Sequence, residues 1–193
     1  MLLGALVAFG PLAIDLYLPA LPAIARGLSA PAEVVQLSVT VFLAVFSLGM
    51  LFFGPLSDRY GRRVVMLGGI LLFVVASLGC MLANTVESLI LARFVQALGG
   101  GAASVLARAV VRDVYPPLEA IRKLSLMAMV TAIAPLLAPL LGSVLLASLG
   151  WRGTFAALLL WGLFSLCVVW LYLPETLPTE RRGQLPLAQA FAV

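Results

Sequence analysis

Residues 54–63 read GPLSDRYGRR, a short charged segment between two long apolar runs. The segment is too short to cross a bilayer, so the chain must return to the membrane from the same face. Its three arginines mark that face as cytoplasmic, because cytoplasmic loops carry an excess of Lys and Arg. The segment therefore sets the predicted orientation of all the other apolar runs.

The composition is typical of a protein with several membrane spans. Of 193 residues, 63% are hydrophobic and 10% are charged, whereas soluble domains are roughly 45–50% apolar. The net charge of +4 does not indicate nucleic-acid binding, because the arginines lie at span ends, where the positive-inside rule places them. The chain has no histidine, and Cys80 and Cys167 lack metal spacing, so we predict no metal site.

Six apolar segments reach the roughly 20 residues that a membrane span requires. The predicted spans 1 to 6 cover residues 2–25, 33–57, 64–82, 86–111, 124–149 and 154–173. They form one transmembrane domain, 1–173, and residues 174–193 are predicted to begin a central cytoplasmic loop. No basic region precedes span 1, so we expect a true span rather than a cleaved signal peptide. The prediction is an all-α membrane protein with six helices in one bundle in the lipid bilayer.

The distribution of Lys and Arg supports this layout. Arg26 and Arg152 fall on the predicted outer side, and Arg93 lies inside span 4. The other nine fall on the predicted inner side: Arg59, Arg62, Arg63, Arg108, Arg112, Arg122, Lys123, Arg181 and Arg182. This asymmetry predicts that both ends of the chain are cytoplasmic.

Two charged side chains lie well inside predicted spans, Asp15 in span 1 and Arg93 in span 4. A carboxylate at mid-membrane costs at least about 2.5 kcal/mol, and low dielectric favours its neutral form, which suits a group that binds and releases protons. The depths of the two residues agree to within roughly 5 Å, so we expect them to meet or to share a cavity. The alternatives are an Asp15 that caps an interrupted helix and an Arg93 that reaches the outer surface.

Segment 54–63 also resembles the signature loop of the major facilitator superfamily, G-x-L-x-D-R-x-G-R-R. The resemblance implies two inverted three-helix repeats within the bundle. It also implies that Asp58 pairs with Arg112 at the foot of span 4 and latches one transport state. The implied latch comprises Gly54, Asp58, Arg59, Gly61, Arg62, Arg63 and Arg112. Charges that only set the topology are the alternative.

Two further segments resemble motifs of proton-coupled exporters in that superfamily. Residues 93–103 (RFVQALGGGAA) are similar to the R-x-x-Q-G motif of helix 4, with Ala97 in place of glycine. Residues 134–142 (APLLAPLLG) are similar to the helix-5 antiporter motif, with alanine at two glycine places. Small residues spaced by four form a groove there, and prolines bend the helix beside it. The motif residues are Ala134, Pro135, Ala138, Pro139 and Gly142. Simple helix packing is the alternative.

Residues 10–25 and 107–115 resemble the Bcr/CflA group of bacterial multidrug exporters. That resemblance implies export of small amphipathic drugs, such as chloramphenicol, bicyclomycin or sulfonamides, across the bacterial inner membrane. Protons would be the coupling ion, with no other cofactor. Candidates for lining the drug cavity are Tyr17, Phe42, Phe46 and Gln96, although the aromatic residues fit lipid or a neighbouring helix equally well, and Gln96 fits a helix-helix hydrogen bond.

The resemblance further implies that the chain is an N-terminal half, whose partner is a C-terminal six-helix half or a second copy. The alternative functions are a proton-coupled sugar or metabolite carrier of the same fold and a non-transporting membrane subunit. We predict no enzymatic activity, because the spans hold no cluster of nucleophile, base or metal ligands.

Overall fold

A computed structural model describes residues 2–177, with side chains from residue 3 onward, and this part of the chain is helical apart from short turns. Five helices are long and apolar enough to cross a membrane by length and composition. The elements are α1 (Leu2–Val7), α2 (Phe9–Asp15), a 3-10 turn (Leu18–Ala20), α3 (Leu21–Gly27), α4 (Ala32–Tyr60), α5 (Arg62–Leu82), α6 (Val86–Val114), α7 (Pro117–Leu149) and α8 (Trp151–Tyr172). The predicted all-α fold is confirmed. The predicted loop residues 178–193, with Arg181 and Arg182, lie outside the described residues.

Span 1 is divided into α1, α2, the 3-10 turn and α3. Each irregularity begins four residues before a proline: α1 ends at Val7, α2 ends at Asp15, and the 3-10 turn starts at Leu18. The prolines that follow are Pro11, Pro19 and Pro22. Proline has no N–H for the carbonyl four residues back, and its ring crowds that carbonyl. Asp15 is therefore the last residue of a short helix rather than part of a continuous span.

The connections on the predicted inner side are shorter than predicted. Only Gly61 separates α4 from α5, and only two residues separate α6 from α7, so segments 58–63 and 112–123 are largely helical. The predicted boundaries were wrong because apolar runs end where charges begin, whereas Arg and Lys continue a helix readily. The predicted breaker was correct: α7 begins at Pro117, a position at which the missing N–H costs nothing.

Gly61 makes the turn between α4 and α5 possible. Its φ is 98° and its ψ 145°, a region that side-chain-bearing residues avoid. We expect Gly61→Ala to destabilise the protein by about 1–3 kcal/mol, whereas Gly54→Ala, in a helical position where an added Cβ meets nothing within 4 Å, does not lower stability. Thermal unfolding of both variants in detergent measures the difference. Equal melting temperatures would contradict the assignment of Gly61 as the required glycine.

Helix α6 lies at the centre of the bundle and packs against α4 on one side and α5 on another, while α8 covers the far side of α5. The α5–α6 contact is close because Gly69 faces Gly99. A Cβ added at Gly99 would overlap Gly69 O and lie 2.5 Å from Phe73 N. At the end of the bundle opposite Gly61, Arg152 of α8 donates to Met81 O and Ala83 O, both at 3.1 Å, and so ties α8 to the end of α5.

Candidate functional site

Arg93 lies at the centre of the bundle with 0% of its surface exposed. Its guanidinium lies between two aromatic rings, with Cζ 4.5 Å from the ring centre of Tyr17 and 4.1 Å from that of Phe42. Both distances are within range of cation–π attraction. The alternative in which Arg93 reaches the outer surface was therefore wrong. Span 1 and α4 together enclose this α6 arginine.

Only part of the guanidinium is hydrogen-bonded. Nη1 donates to Ala13 O at 3.0 Å and to Gln96 Oε1 at 2.8 Å. Nε and Nη2 are buried and have no hydrogen-bond partner within residues 2–177. A buried charge is costly unless it is paired. Arg93 is therefore a cation with two nitrogen atoms, Nε and Nη2, available to donate to another acceptor.

The break in span 1 supplies the Ala13 carbonyl. At the end of α2 the chain tightens, and Tyr17 N donates to Ile14 O at 3.1 Å, three residues back. In a continuous α-helix Tyr17 N would donate to Ala13 O instead. The local irregularity leaves Ala13 O free to accept from Arg93. The interruption of span 1 is thus part of the site.

Asp15 is half-buried at the end of α2. Among the described residues, no ion pair joins it to Arg93, so of the two expected arrangements, direct contact or a shared cavity, direct contact is not formed. The physical reason is that Arg93 reaches the backbone two residues earlier, where a free carbonyl lies in the path of the guanidinium. Arg93 nevertheless binds the backbone of span 1 only two residues before Asp15.

The predicted cavity-lining residues are largely buried. Tyr17, Phe42 and Gln96 are 0% exposed, and Tyr17 Oη and Ser38 Oγ are 2.7 Å apart. Phe46 is partly buried and stacks on Phe42, with ring centres 5.8 Å apart. None of the four lines either of the two cavities described below. For Gln96, the alternative was correct: it forms a helix-helix hydrogen bond, from Nε2 to Ser77 Oγ of α5 at 2.7 Å.

One cavity of about 430 Å³ lies between α5 and α8 and is wholly apolar in character. A second, of about 710 Å³, lies between α1, α6, α7 and the residues that follow α8. Its polar contributions include Tyr115, Lys123 and Thr176, and apolar side chains of α7 form one wall. Its size falls in the range of small-molecule sites. None of the residues that line this cavity was among the predicted site residues.

Charged residues gather around Gly61, at what we term the Gly61 end of the bundle. Arg62 forms ion pairs with Asp58 (Nη2 to Oδ1, 2.7 Å) and with Asp113 of α6 (Nε to Oδ2, 2.9 Å), and its Nη1 donates to Ser57 Oγ. Arg112 is exposed, and within residues 2–177 it has no ion pair. The predicted Asp58–Arg112 pair was therefore wrong, because α6 brings Asp113 rather than its neighbour to α5.

The other latch candidates differ in their surroundings. Arg63 Nη2 donates to Trp170 O of α8 at 2.8 Å, and Arg59 is exposed, with Cζ 5.5 Å from the ring centre of Tyr60. Gly54 lies within α4, and its carbonyl accepts from Ser57 Oγ at 2.6 Å. The structure thus brings Asp58 and Arg62 together, ties Arg63 to α8 and leaves Arg59 and Arg112 at the surface.

Glu175 completes the Gly61 end and was not among the predicted site residues. Its carboxylate accepts from the backbone N–H of Arg62 at 2.9 Å and of Arg63 at 3.3 Å, the first residues of α5. A carboxylate at a helix N-terminus satisfies free N–H groups and matches the helix dipole. The available signal was an acidic residue immediately after the end of an apolar span.

The small residues of the α7 motif pack against the break in span 1. Ala138 and Gly142 are buried, and Ala134 is partly buried. A Cβ at Gly142 would lie 2.5 Å from Leu16 O, the residue after Asp15. α7 continues as one helix through Pro135 and Pro139, so these prolines do not divide it as the prolines of span 1 do. The motif therefore allows α7 to approach the interrupted backbone closely.

Solved transporter structures share this arrangement of helices. The human organic anion transporter MFSD10 matches with a TM-score of 0.76 over 98% of this chain and 51% of that one, at 22% identity. A D-xylose-proton symporter matches with a TM-score of 0.75 over 91% of this chain and 47% of that one, at 20% identity. At such identities the likeness shows the fold alone.

Bacterial relatives are similar in sequence along most of the chain. The "Uncharacterized MFS-type transporter YdgK" of Bacillus subtilis (strain 168) is 44% identical over 94% of this chain and 46% of its own length. A "Chloramphenicol resistance protein" of Pseudomonas aeruginosa is 40% identical over 86% and 40%. The "Multidrug resistance protein MdtL" of Escherichia coli O9:H4 (strain HS) is 38% identical over 91% and 45%. The chain spans less than half the length of these relatives.

The family model described as Major Facilitator Superfamily matches residues 1–190. This match agrees with the long apolar helices α4 to α8 and with the similarity to transporters along nearly the whole chain. The protein is a multi-pass membrane protein, and the chain belongs to the Major Facilitator Superfamily.

Proposed function

We propose that this chain is the N-terminal bundle of a proton-coupled drug exporter of the Bcr/CflA type. The observation that carries the proposal is the buried Arg93, which has two nitrogen atoms without an acceptor within residues 2–177 and lies against the break in span 1 that begins where α2 ends, at Asp15. A buried cation that has no ion pair within residues 2–177, bonded two residues before the only carboxyl group in span 1, suits a site whose charge changes during a cycle. The names of the drug-resistance relatives support drugs as the substrates.

In the proposed cycle Asp15 carries the proton. Its position at the end of α2, next to an irregular turn, allows the carboxyl group to move with the backbone between positions nearer to and farther from Arg93. Proximity to the guanidinium favours the carboxylate and hence proton release, whereas distance from it favours proton uptake. Gly142 of α7 packs on the same turn and would transmit motion of α7 to it.

The Gly61 end is the proposed conformational latch. Arg62 links α4, α5 and α6 through Asp58 and Asp113, and Glu175 adds the segment that follows α8. The Arg62 side chain is 11% exposed, whereas that of Asp58 is 58% exposed, and such partly exposed pairs contribute modestly one by one and more as a network. By the positive-inside rule we place this end, and both chain termini, in the cytoplasm of a bacterium, with the bundle in the inner membrane.

The proposed partner is a second six-helix bundle, either a C-terminal half or a second copy of this one. Helix α7 presents an apolar face on which Leu136, Leu140 and Val144 are 71%, 64% and 65% exposed. Substrates of this fold bind between two bundles. We therefore propose that a single copy of the 193-residue chain does not transport substrate.

Asp15→Asn is the first test of this function. In a drug-hypersensitive bacterium that expresses the complete reading frame containing this chain, we expect resistance to chloramphenicol or a related drug, and we expect Asp15→Asn to lower it at least about tenfold because the proton carrier is lost. Growth inhibition at graded drug concentrations is the measurement.

The matched control is Glu87→Gln, which removes an exposed carboxylate from the first turn of α6 and is expected to leave resistance unchanged. Full resistance in the Asp15→Asn strain at normal expression would contradict the role of Asp15. If the wild-type protein inserts normally but protects against no drug, the exporter proposal is wrong. That outcome would favour a sugar or metabolite carrier, or a subunit that does not transport.

A further inference from the structure

The Ser77 hydroxyl group determines the orientation of the Gln96 side chain. Ser77 Oγ of α5 donates to Phe73 O, four residues back in its own helix, at 2.7 Å. A hydroxyl group has one hydrogen, so Ser77 can only accept from Gln96, whose nitrogen Nε2 lies 2.7 Å away. The amide nitrogen of Gln96 must therefore face Ser77.

The other end of the amide is fixed in the same sense. With Nε2 directed to Ser77, Gln96 Oε1 faces Arg93 and accepts from Nη1 at 2.8 Å. The reversed amide would place two donors against each other at Arg93, since a guanidinium has no acceptor. Cys80 Sγ, 4.0 Å from Oε1, is a further weak donor to the same oxygen.

We propose that Ser77 is a positioning residue for Arg93 that acts through Gln96. The hydrogen-bond chain runs from Arg93 through Gln96 and Ser77 to the backbone of α5, and all three side chains are 0% exposed. It holds Nη1 between Gln96 Oε1 and Ala13 O, and so fixes the direction of Nε and Nη2, which have no acceptor within residues 2–177. The inference rests on the proposed function only for its effect on transport.

Ser77→Ala would leave Nε2 of Gln96 buried without its acceptor. The amide would then be free to rotate, and Arg93 would lose its fixed side-chain acceptor. Loss of one hydrogen bond to a charged group is equivalent to about a tenfold change in an equilibrium constant. We therefore expect resistance from the complete reading frame to fall about tenfold in Ser77→Ala.

Two further variants distinguish positioning from packing. Ser77→Thr keeps a hydroxyl group that can still donate four residues back and accept from Gln96, so we expect it to restore resistance to within about twofold of wild type. Ser165→Ala is the matched control: Ser165 of α8 is 1% exposed, and its hydroxyl has no hydrogen-bond partner within residues 2–177. We expect no change in that variant.

A thermal double-mutant cycle gives a readout that does not depend on transport. Ser77 and Arg93 share Gln96 as their common partner, so any coupling between their effects passes through its amide. For the complete protein in detergent, we expect Ser77→Ala to lower the melting temperature by about 2–4 °C when Arg93 is present and by clearly less with Arg93→Met, where only the bond between Gln96 and Ser77 is lost.

The outcomes separate the two proposals. Ser77→Ala that matches Ser165→Ala in both assays overturns the positioning role, as does a well-folded Ser77→Thr that fails to restore resistance. If the wild-type protein transports no drug, the exporter proposal fails and the cycle alone decides: coupled melting temperatures support positioning of Arg93 by Ser77, and additive ones overturn it.

Discussion

Gly99→Ala is expected to destabilise the protein by about 3 kcal/mol. Its Cβ would overlap Gly69 O and lie 2.5 Å from Phe73 N and 3.0 Å from Phe73 Cα. These are backbone atoms, which no rotamer change can move away. Helices α5 and α6 would have to separate along the contact that forms the middle of the bundle.

Gly68→Ala is the matched control for this substitution. Gly68 lies next to Gly69 in α5, but a Cβ there meets nothing within 4 Å, and alanine is the better helix former by roughly 1 kcal/mol. Thermal unfolding in detergent should therefore show a large drop for Gly99→Ala and none for Gly68→Ala. Two variants with the same melting temperature would mean that the α5–α6 contact is looser than the structure shows.

For the proposed exporter, Arg93→Lys is expected to lower drug resistance strongly even though it keeps the positive charge. The planar guanidinium lies between the rings of Tyr17 and Phe42 while Nη1 donates to Ala13 O and Gln96. A lysine ammonium is a compact point charge that does not stack between rings or present a planar set of donors. We expect at least about a tenfold loss of resistance, which corresponds to one charged hydrogen bond.

Arg108→Lys provides the comparison, because it makes the same change at a second arginine of α6. Arg108 Nη1 donates to a backbone carbonyl, Ser104 O, at 3.3 Å, and a lysine can replace that contact. Growth assays at matched expression are expected to show resistance retained in Arg108→Lys and lost in Arg93→Lys. Resistance retained in both would show that charge alone suffices at position 93.

Much of the fold could be predicted because a membrane span is recognised from hydropathy averaged over many residues. The span ends could not, since a helix continues past its apolar run when polar residues can maintain its hydrogen bonds, as from Asp58 to Tyr60 in α4. The three prolines of span 1 were visible in the sequence. They divide the span into separate helices because each proline lacks the N–H that would bond the carbonyl four residues earlier.

The residue types of the site were also visible, since a charge such as Arg93 stands out in an apolar run. Its partners were not. Ala13 contributes a backbone carbonyl, which sequence does not distinguish from any other, and Ser77 resembles the other serines of the spans. The prediction named Arg112 rather than its neighbour Asp113. Adjacent residues of a helix point about 100° apart, and spacing alone does not determine which of the two side chains faces α5.

The carboxylate of Glu175 also constrains the order in which the protein can be completed during synthesis. It caps the first turn of α5 from a position 113 residues later in the chain than Arg62. When α5 leaves the ribosome, the residue that will occupy its N-terminus has not yet been translated. Because chains assemble from the N-terminal end as they are made, the Gly61 end remains unfinished until α8 has been inserted. The bonds from Arg62 and Arg63 to Glu175 can therefore form only after all the helices from α1 to α8 have been synthesised.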